Sequence, residues 1–231
     1  AISKEVTIKT GSTGNREYKA NWSWNVYKIT LDNQKADTAG TPEYYEKYSI
    51  GNFSTKDLTE EIDKITIPTK EGYDFRGYYD KLSQTGNIDP KQYIDADGNI
   101  TALNTDFESD TTLYAIWTPS VHKVTLDNQG AQKSGTKLFY CKYDDGFYQD
   151  ETCYVEQESP IHKPQKDTYI FKGYYTEVNG GGIKYINENG EIDEKLKNIT
   201  SDMTLYALWE NRAYTLTIEI GEGISDVTIN G

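Results

Sequence analysis

The stretch Thr-Leu-Tyr-Ala-Ile-Trp at residues 112–117 returns almost unchanged as Thr-Leu-Tyr-Ala-Leu-Trp at residues 204–209. A looser copy, Tyr-Lys-Ala-Asn-Trp, stands at residues 18–22. Five residues after each tryptophan a run of alternating apolar and polar residues begins, which is the pattern of a half-buried strand. The recurrence defines a tandem repeat of roughly 90 to 95 residues, and self-contained repeats of this kind usually serve reach and display.

The repeat divides the chain of 231 residues into four parts. Two complete repeat domains are predicted at residues 25–118 and 119–211, and each is long enough to bury a core of its own. Residues 1–24 are interpreted as the C-terminal end of a preceding repeat, and residues 212–231 as the start of a following domain. We therefore expect a segment of a longer protein, with very short linkers between its units.

Each repeat shows the same order of predicted strands. An opening strand at residues 27–31 is followed by turn-forming Asp-Asn-Gln, and a second strand is predicted at residues 43–48. In the first repeat Leu58, Ile62 and Ile65 have the i, i+4, i+7 spacing of a short amphipathic helix. The sequence therefore predicts a mainly β protein of the α+β kind, with at most one short helix in each repeat.

A hairpin is predicted before the tryptophan-ending strand of each repeat. The dipeptides Asp-Gly at residues 97–98 and Asn-Gly at residues 189–190 favour the two-residue type I′ turn. The tryptophans that end the last strands are interpreted as core anchors, because indole rings provide large apolar surfaces.

Composition excludes several classes of partner. The formal charge of -13 and a pI near 4.6 leave no basic surface to neutralise phosphates, which argues against nucleic acid and against anionic membranes. Mean hydropathy is -0.77, and the sequence has no apolar stretch long enough to span a bilayer, so we expect no direct membrane insertion of this segment.

Residues suited to catalysis do not recur from one repeat to the other. The chain has two histidines, and it contains neither a Gly-x-Ser-x-Gly elbow nor a His-Glu-x-x-His motif. Its 37 acidic residues provide carboxylate pairs by number alone, without a repeated constellation that would position them. We predict that the segment is not an enzyme and that it uses no cofactor.

Both cysteines, Cys141 and Cys153, belong to the second repeat, and the corresponding positions of the first hold Glu46 and, approximately, Leu58. The fold of the repeat therefore does not depend on sulfur. Two thiols about a dozen residues apart in one unit predict a local disulfide and an oxidising compartment. Closing such a loop would add roughly 3 kcal/mol of stability. The alternative is a pair of free, half-buried thiols.

An acidic loop is a candidate metal site. Asp95, Asp97 and Asn99 place oxygen atoms at alternating positions, as at the start of a calcium loop. The flanking residues alternate as strands rather than helices, and the second copy reads Asn-Glu-Asn-Gly-Glu at residues 187–191. A plain hairpin turn is therefore the favoured interpretation, with weak calcium binding as the alternative.

Four tyrosines are candidate binding residues. They form the adjacent pairs Tyr78–Tyr79 and Tyr174–Tyr175, and an exposed tyrosine ring is suited to stacking on a sugar. Because neighbouring residues of a strand point to opposite faces, we expect one tyrosine of each pair in the core and one outside. Packing is the favoured interpretation of both pairs.

Three motifs occur in the same order in both repeats. Phe-x-Gly-Tyr-Tyr stands at residues 75–79 and 171–175, a Tyr-Ile-Asp-x-x-Gly-x-Ile hairpin at residues 93–100 has a near copy at residues 185–192, and the tryptophan-ending strand follows. These motifs resemble the Listeria–Bacteroides repeat, also called the internalin B-repeat family. The resemblance implies tandem β-grasp-like domains, each a small mixed sheet packed on one short helix or loop. It also implies large secreted or wall-attached bacterial surface proteins, often adhesins, without catalytic residues.

Two hypotheses of function follow from the repeat and the resemblance. In the first, the segment is a stalk or spacer in an extracellular, adhesin-like molecule. In the second, it is a binding module for a host receptor, a glycan or a sister surface protein, through exposed aromatic rings or strand addition. Self-assembly into a surface filament or lattice is a further alternative.

Overall fold

The computed structural model describes residues 7–17, 19, 22–82, 89–215 and 217, and within them twelve strands form two six-stranded sheets. The first sheet is built from β1 (Val26–Asp32), β2 (Glu43–Lys47), β3 (Gly51–Phe53), β4 (Tyr73–Tyr79), β5 (Gln92–Ile94) and β6 (Thr111–Pro119). The second is built from β7 (Val121–Asp127), β8 (Leu138–Lys142), β9 (Gly146–Tyr148), β10 (Tyr169–Tyr175), β11 (Lys184–Ile186) and β12 (Met203–Asn211). We call residues 26–119 unit 1 and residues 121–211 unit 2.

The two sheets have the same topology. The strand order is β3-β2-β1-β6-β4-β5 in unit 1, and the corresponding order in unit 2 is β9-β8-β7-β12-β10-β11. The first and last strands of each unit are parallel neighbours at the centre, and all other pairs are antiparallel. A hairpin followed by a last strand inserted parallel to the first is a β-grasp-like arrangement. The mainly β class expected from the sequence is confirmed.

Alternation along the central strands builds the core of each unit. Ile29 and Leu31 of β1 are buried, whereas Thr30 between them is only partly covered, and Val124 and Leu126 repeat this pattern in β7. Each unit has its own cluster of buried side chains. Trp117 and Trp209 pack against these clusters from the ends of the last strands.

The Phe-x-Gly-Tyr-Tyr motif contains a bulge. The pairing of β4 with β6 shifts register between Phe75 and Tyr78, so both of these side chains enter the core. Gly77 lies inside the bulge with φ +111°, and a Cβ atom there would lie 2.2 Å from the carbonyl oxygen of Ile94. Only glycine fits this close approach of two backbones, which explains its place in the motif.

The helix predicted at Leu58, Ile62 and Ile65 does not form. The segment is a chain of turns and isolated bridges, and Leu58 has a left-handed φ of +58°. The N–H of Leu58 closes a local turn on Thr55, whereas the N–H of Ile62 donates to Asn52 and that of Ile65 to Gly98. The apolar spacing reflects burial of an extended segment. Short 3₁₀ helices occur in unit 2 instead, at Val178–Gly180 and Glu194–Asn198.

The predicted type I′ turns are also wrong in detail. Gly98 has φ +88° and Gly190 has φ +90°, but the preceding Asp97 and Asn189 do not have positive φ, which type I′ requires at both central residues. The loop from Asp95 to Asn99 is a three-residue connection with its glycine in the left-handed position. The hairpins themselves are present.

The outermost stretches are described only in part. Trp22 is 92% exposed, and residues 18, 20 and 21 beside it lie outside the described residues, so its role as a core anchor of a preceding repeat stays a prediction. The predicted preceding repeat is described at residues 7–17 and from Trp22 onward. Most of the predicted following domain, residues 218–231, lies outside the described residues.

Candidate functional site

One residue, Ser120, separates the last strand of unit 1 from the first strand of unit 2. Its N–H donates to the carbonyl oxygen of Gly72 at 2.9 Å and extends the pairing of β4 with β6. Its carbonyl oxygen accepts from the N–H of Tyr143 at 3.0 Å and extends the pairing of β7 with β8. Ser120 is only 7% exposed. The linker is therefore bonded to the ladders of both units.

The hydroxyl of Ser120 adds a third bond to the same place. It donates to the carbonyl oxygen of Gly72 at 3.0 Å, and it lies 3.0 Å from Nε2 of His122. Nδ1 of His122 lies 3.8 Å from the carboxylate of Asp202. The side chain of His122 in unit 2 thus continues the hydrogen bonding that begins at the turn of unit 1, and Asp202 lies near its other ring nitrogen.

The ring of Tyr143 in unit 2 lies on the backbone of Gly72 in unit 1. A Cβ atom built on Gly72 would lie 2.3 to 2.4 Å from three carbons of that ring. Gly72 is buried and has φ +72°. The absence of a side chain at residue 72 therefore provides both the left-handed turn and the room for the ring.

A second ring and two charged groups surround this contact. The rings of Tyr73 and Tyr143 lie 5.6 Å apart at 64°, an edge-to-face arrangement. Nζ of Lys70 lies 4.5 Å from the ring of Tyr73. The pKa of the Tyr143 phenol is raised, first by desolvation and then by the nearby Glu71 carboxylate. We call Gly72, Tyr73, Ser120, His122 and Tyr143 the inter-unit joint.

Each of the two backbone hydrogen bonds of Ser120 has a counterpart at the outer end of one unit. At the start of unit 1, the N–H of Tyr48 donates to Asn25 at 3.0 Å, as that of Tyr143 does to Ser120. At the end of unit 2, the N–H of Arg212 donates to Thr168 at 2.7 Å, as that of Ser120 does to Gly72. The joint was not predicted from the sequence. The feature that could have indicated it is the tyrosine that both units have at matching positions, Tyr48 and Tyr143.

The inner tyrosines of the candidate binding pairs belong to the core. Tyr78 is 0% exposed, and its hydroxyl donates to Oδ1 of Asn33, whose carbonyl oxygen accepts from Nε1 of Trp117 at 3.2 Å. Tyr174 and Asn128 repeat the arrangement with Trp209 in unit 2. The asparagine of the Asp-Asn-Gln turn thus joins a buried tyrosine to the anchoring tryptophan. A ligand cannot stack on these buried rings.

The outer tyrosines are half-buried and have contacts within their own units. The hydroxyl of Tyr79 donates to the carbonyl oxygen of Arg76 at 3.2 Å and accepts from Nε2 of Gln92 at 3.0 Å. The ring of Tyr175 lies 5.2 Å from Nζ of Lys184. One tyrosine of each pair therefore points inward and one outward.

In the candidate calcium loop, both carboxylate oxygens of Asp95 accept hydrogen bonds from within the loop. Oδ1 of Asp95 accepts from the N–H groups of Asp97 and Asn99, and Oδ2 accepts from Nδ2 of Asn99. These bonds, the Asn99 side chain first, lower the pKa of Asp95. In unit 2 the neutral Asn187 accepts equivalent backbone bonds. Within the described ranges, no group of three or more His, Cys, Asp or Glu residues is placed to hold a metal ion.

The two cysteines are free thiols in this structure, so the predicted disulfide is not formed in it. Cys141 lies in the core of unit 2, and Cys153 is half-buried in the turn after β9 with φ +55°. Burial, and to a lesser extent the nearby Cys153, raises the pKa of the Cys141 thiol to about 12. Unit 2 has its complete fold in this structure with both thiols free.

Unit 1 has a buried acid at the position of Cys141. Glu46 is 0% exposed, and among the described residues neither of its carboxylate oxygens has a partner in hydrogen-bond geometry. Burial, and then the nearby Asp106 carboxylate, raises the pKa of Glu46 to about 7, while the Phe107 N–H opposes this rise. The hydroxyl of Tyr44, on the same face of β2, is also buried without a partner. An acidic residue at an inward position of the strand is the signal that sequence reasoning overlooked.

Comparison with known proteins is consistent with this repeated architecture. The profile of the family described as the Listeria-Bacteroides repeat domain matches residues 27–116 and 123–208. Two proteins of Evansella cellulosilytica, named as a Gly-rich membrane protein and a membrane protein, are 27% and 26% identical to this chain over 88% of its length. Internalin H of Listeria monocytogenes is 30% identical over 66% of the chain.

The chain spans only 18%, 24% and 22%, respectively, of the lengths of these three relatives. No solved structure matches it. The part of the chain that the structure describes contains no helix long and apolar enough to cross a membrane.

Proposed function

The chain belongs to the Listeria-Bacteroides repeat domain family, and from this premise we propose that it is a non-catalytic spacer. Its two units would form part of a stalk that carries a functional region of a bacterial surface or secreted protein away from its anchor. The joint carries the proposal: a one-residue linker, Ser120, is hydrogen-bonded to both units and is covered by the contact of Tyr143 with Gly72. A linker held in this way restricts the swing of one unit against the other.

The topology of each unit supports a role in extending the length of the protein. The chain enters unit 1 at the start of β1 and leaves it at the end of β6. Because these strands are parallel, entry and exit lie toward opposite ends of the sheet. The nine residues of β6 span about 30 Å at roughly 3.3 Å per residue. Each unit therefore adds length along its strands.

The same topology supports resistance to force. Tension on the two ends of unit 1 pulls β1 and β6 in opposite directions along their shared ladder, where residues 29–32 pair with residues 111–114. The hydrogen bonds of the ladder then bear the load together instead of opening one after another. In unit 2 the parallel pairing of β7 with β12 has the same geometry.

The negative net charge of the chain and the names of its relatives support a location outside the cell. A net charge of -13 keeps a long surface protein soluble and repels anionic lipid headgroups. The relatives include internalin H and two proteins named as membrane proteins. We propose that the segment lies on the bacterial surface, wall-attached or secreted, as a spacer in an adhesin-like molecule.

Single-molecule pulling of the whole chain tests the spacer function. Attachment at residues 1 and 231 loads both parallel ladders in shear, and we expect two unfolding events of similar, high force. The control attaches the handles at Lys56 and residue 231, so that β3 and β2 are peeled from the edge of unit 1. The proposal predicts a lower force for unit 1 in the control. Equal forces in the two geometries would contradict a load-bearing spacer.

A further inference from the structure

We propose that one turn residue in each unit sets the stiffness of the joint to the next unit. Glycine, as at Gly72, admits an aromatic ring from the following unit and gives a stiff joint. Threonine, as at Thr168, excludes the ring and leaves a hinge. The inference rests on the proposed spacer function and deepens it, because it specifies where such a spacer bends.

The two turns share their backbone hydrogen bond, their lysine–tyrosine contact and a left-handed residue before the tyrosine. The N–H of Tyr73 donates to Lys70 at 3.1 Å, and that of Tyr169 donates to Lys166 at 3.1 Å. Nζ of the lysine lies over the tyrosine ring in both, at 4.5 Å and 4.7 Å. The residue directly before the tyrosine has a left-handed backbone in both turns, with φ +72° at Gly72 and +62° at Thr168. The side chain at this position is therefore the difference that matters.

Steric exclusion follows from the ring contact at Gly72. The added Cβ would lie 2.3 to 2.4 Å from three carbons of the Tyr143 ring, far inside van der Waals contact. The position of Cβ is fixed by the backbone, so no rotamer of a threonine can relieve the overlap. A ring arriving at Thr168 in the same way must therefore lie elsewhere.

The backbone half of the joint is retained at Thr168. Its carbonyl oxygen accepts from the N–H of Arg212 at 2.7 Å, as that of Gly72 accepts from the N–H of Ser120 at 2.9 Å. A bond between two backbones without a packed ring fixes the path of the chain and leaves rotation about it. We infer a hinge after unit 2.

The start of unit 1 has the complementary surface. Tyr48 is half-buried beside Tyr27, with the two rings 6.4 Å apart at 88°, and its N–H bonds to Asn25 as that of Tyr143 bonds to Ser120. This surface fits the glycine-containing turn of another repeat of the same kind. The partner that it accepts is therefore a unit with glycine, not threonine, at the position of Gly72.

Residual dipolar couplings of the whole chain test the inference, because two rigidly joined units share one alignment tensor. We expect a common tensor for the native chain and different tensor magnitudes for the two units in Gly72→Thr. The fold itself accepts threonine in this left-handed position, as Thr168 shows. Gly130→Thr is the matched control, because Gly130 has φ +75° and its Cβ would meet only Nζ of Lys166, at 3.9 Å. The control must retain the common tensor.

A second variant separates the ring contact from strain in the turn. Tyr143→Ala removes the ring, leaves Gly72 unchanged and is expected to give two different tensors as well. A common tensor retained in both Gly72→Thr and Tyr143→Ala would overturn the stiffness rule while leaving the spacer function standing. Two different tensors in the native chain would overturn the rule and remove the observation on which the spacer function rests.

Discussion

Tyr143 covers Gly72 with its ring, and this contact joins the two units of the chain. The two residues lie at opposite sides of the linker Ser120, whose backbone groups bond to both. Because Ser120 is 7% exposed and the ring lies on Gly72, we expect the ring to protect those bonds from water. The stiffness of the connection between the two units therefore depends on the ring of Tyr143 and on the lack of a Cβ atom at Gly72.

Truncation of that ring should expose the linker. In Tyr143→Ala we expect the amide of Ser120 to exchange its hydrogen roughly tenfold faster, which corresponds to about 1.4 kcal/mol of lost local stability. Hydrogen exchange followed by NMR measures this rate directly. Tyr48→Ala, at the matching position of unit 1, serves as the control and should leave the Ser120 amide unchanged. Equal exchange in the native chain and in Tyr143→Ala would mean that the ring does not protect the linker.

The buried tyrosine–asparagine bonds should contribute to the stability of each unit. Tyr78→Phe removes the hydroxyl that donates to Asn33 and leaves the amide oxygen without its partner, so we expect a loss of about 1 to 2 kcal/mol in the free energy of unfolding of unit 1. Tyr174→Phe should cost the same in unit 2. Urea unfolding monitored by NMR resolves the two units. Tyr79→Phe, which loses two exposed hydrogen bonds, should change stability by less than about 0.5 kcal/mol.

Unit 1 should lose stability as the pH rises, because the pKa of Glu46 is raised to about 7 in the folded state from an ordinary value of 4.5. The folded state holds the proton more tightly, so this stabilisation is complete below about pH 4.5 and is lost as the pH rises through about 7. The change is on the order of 3 kcal/mol. Hydrogen exchange in β2, corrected for intrinsic rates at pH 5 and pH 8, measures it.

Unit 2 provides an internal control for this pH dependence. Cys141 occupies the position of Glu46, and its thiol pKa of about 12 keeps it neutral across the same range. Glu46→Gln should remove the pH dependence from unit 1. A slope that persists in Glu46→Gln would show that another group causes it.

We also propose that Cys141 and Cys153 form a disulfide when the protein is oxidised. Each thiol would lose one proton and one electron. The two protons and two electrons would reduce the disulfide of an oxidised dithiol partner to two thiols. Mass spectrometry should then show the loss of two hydrogen atoms and a peptide that links the two residues. Closure of the loop should stabilise unit 2 by roughly 3 kcal/mol. A mixture of singly modified thiols without the linked peptide would contradict the pairing.

Strand positions were predictable because a half-buried strand has a period of two residues, which β1 and β7 follow closely. The same rule could not anticipate the bulge at Gly77, which brings both Phe75 and Tyr78 into the core. The helical spacing of Leu58 and Ile62 was misleading, because a segment of turns and bridges can partly cover the same residues, and the N–H of Ile62 finds its partner in Asn52 of a neighbouring strand.

The joint could not be predicted from local pattern. Gly72 and Tyr143 are distant in sequence, and the tyrosine that both units share at the position of Tyr143 does not by itself indicate which residue it touches. The buried Glu46 lies at the inward position that strand alternation gives it, but its lack of partners depends on side chains from other elements. Contacts of this kind arise only when the units fold and meet.

Small-angle X-ray scattering of the whole chain tests the central claim most directly. If units 1 and 2 form a stiff, end-to-end spacer, the scattering should give a rod-like distance distribution whose longest dimension is about twice that of one unit, and the profile should not change with salt. A compact distribution, with the two units folded side by side, would contradict the spacer and direct attention to the groove between them as a binding site.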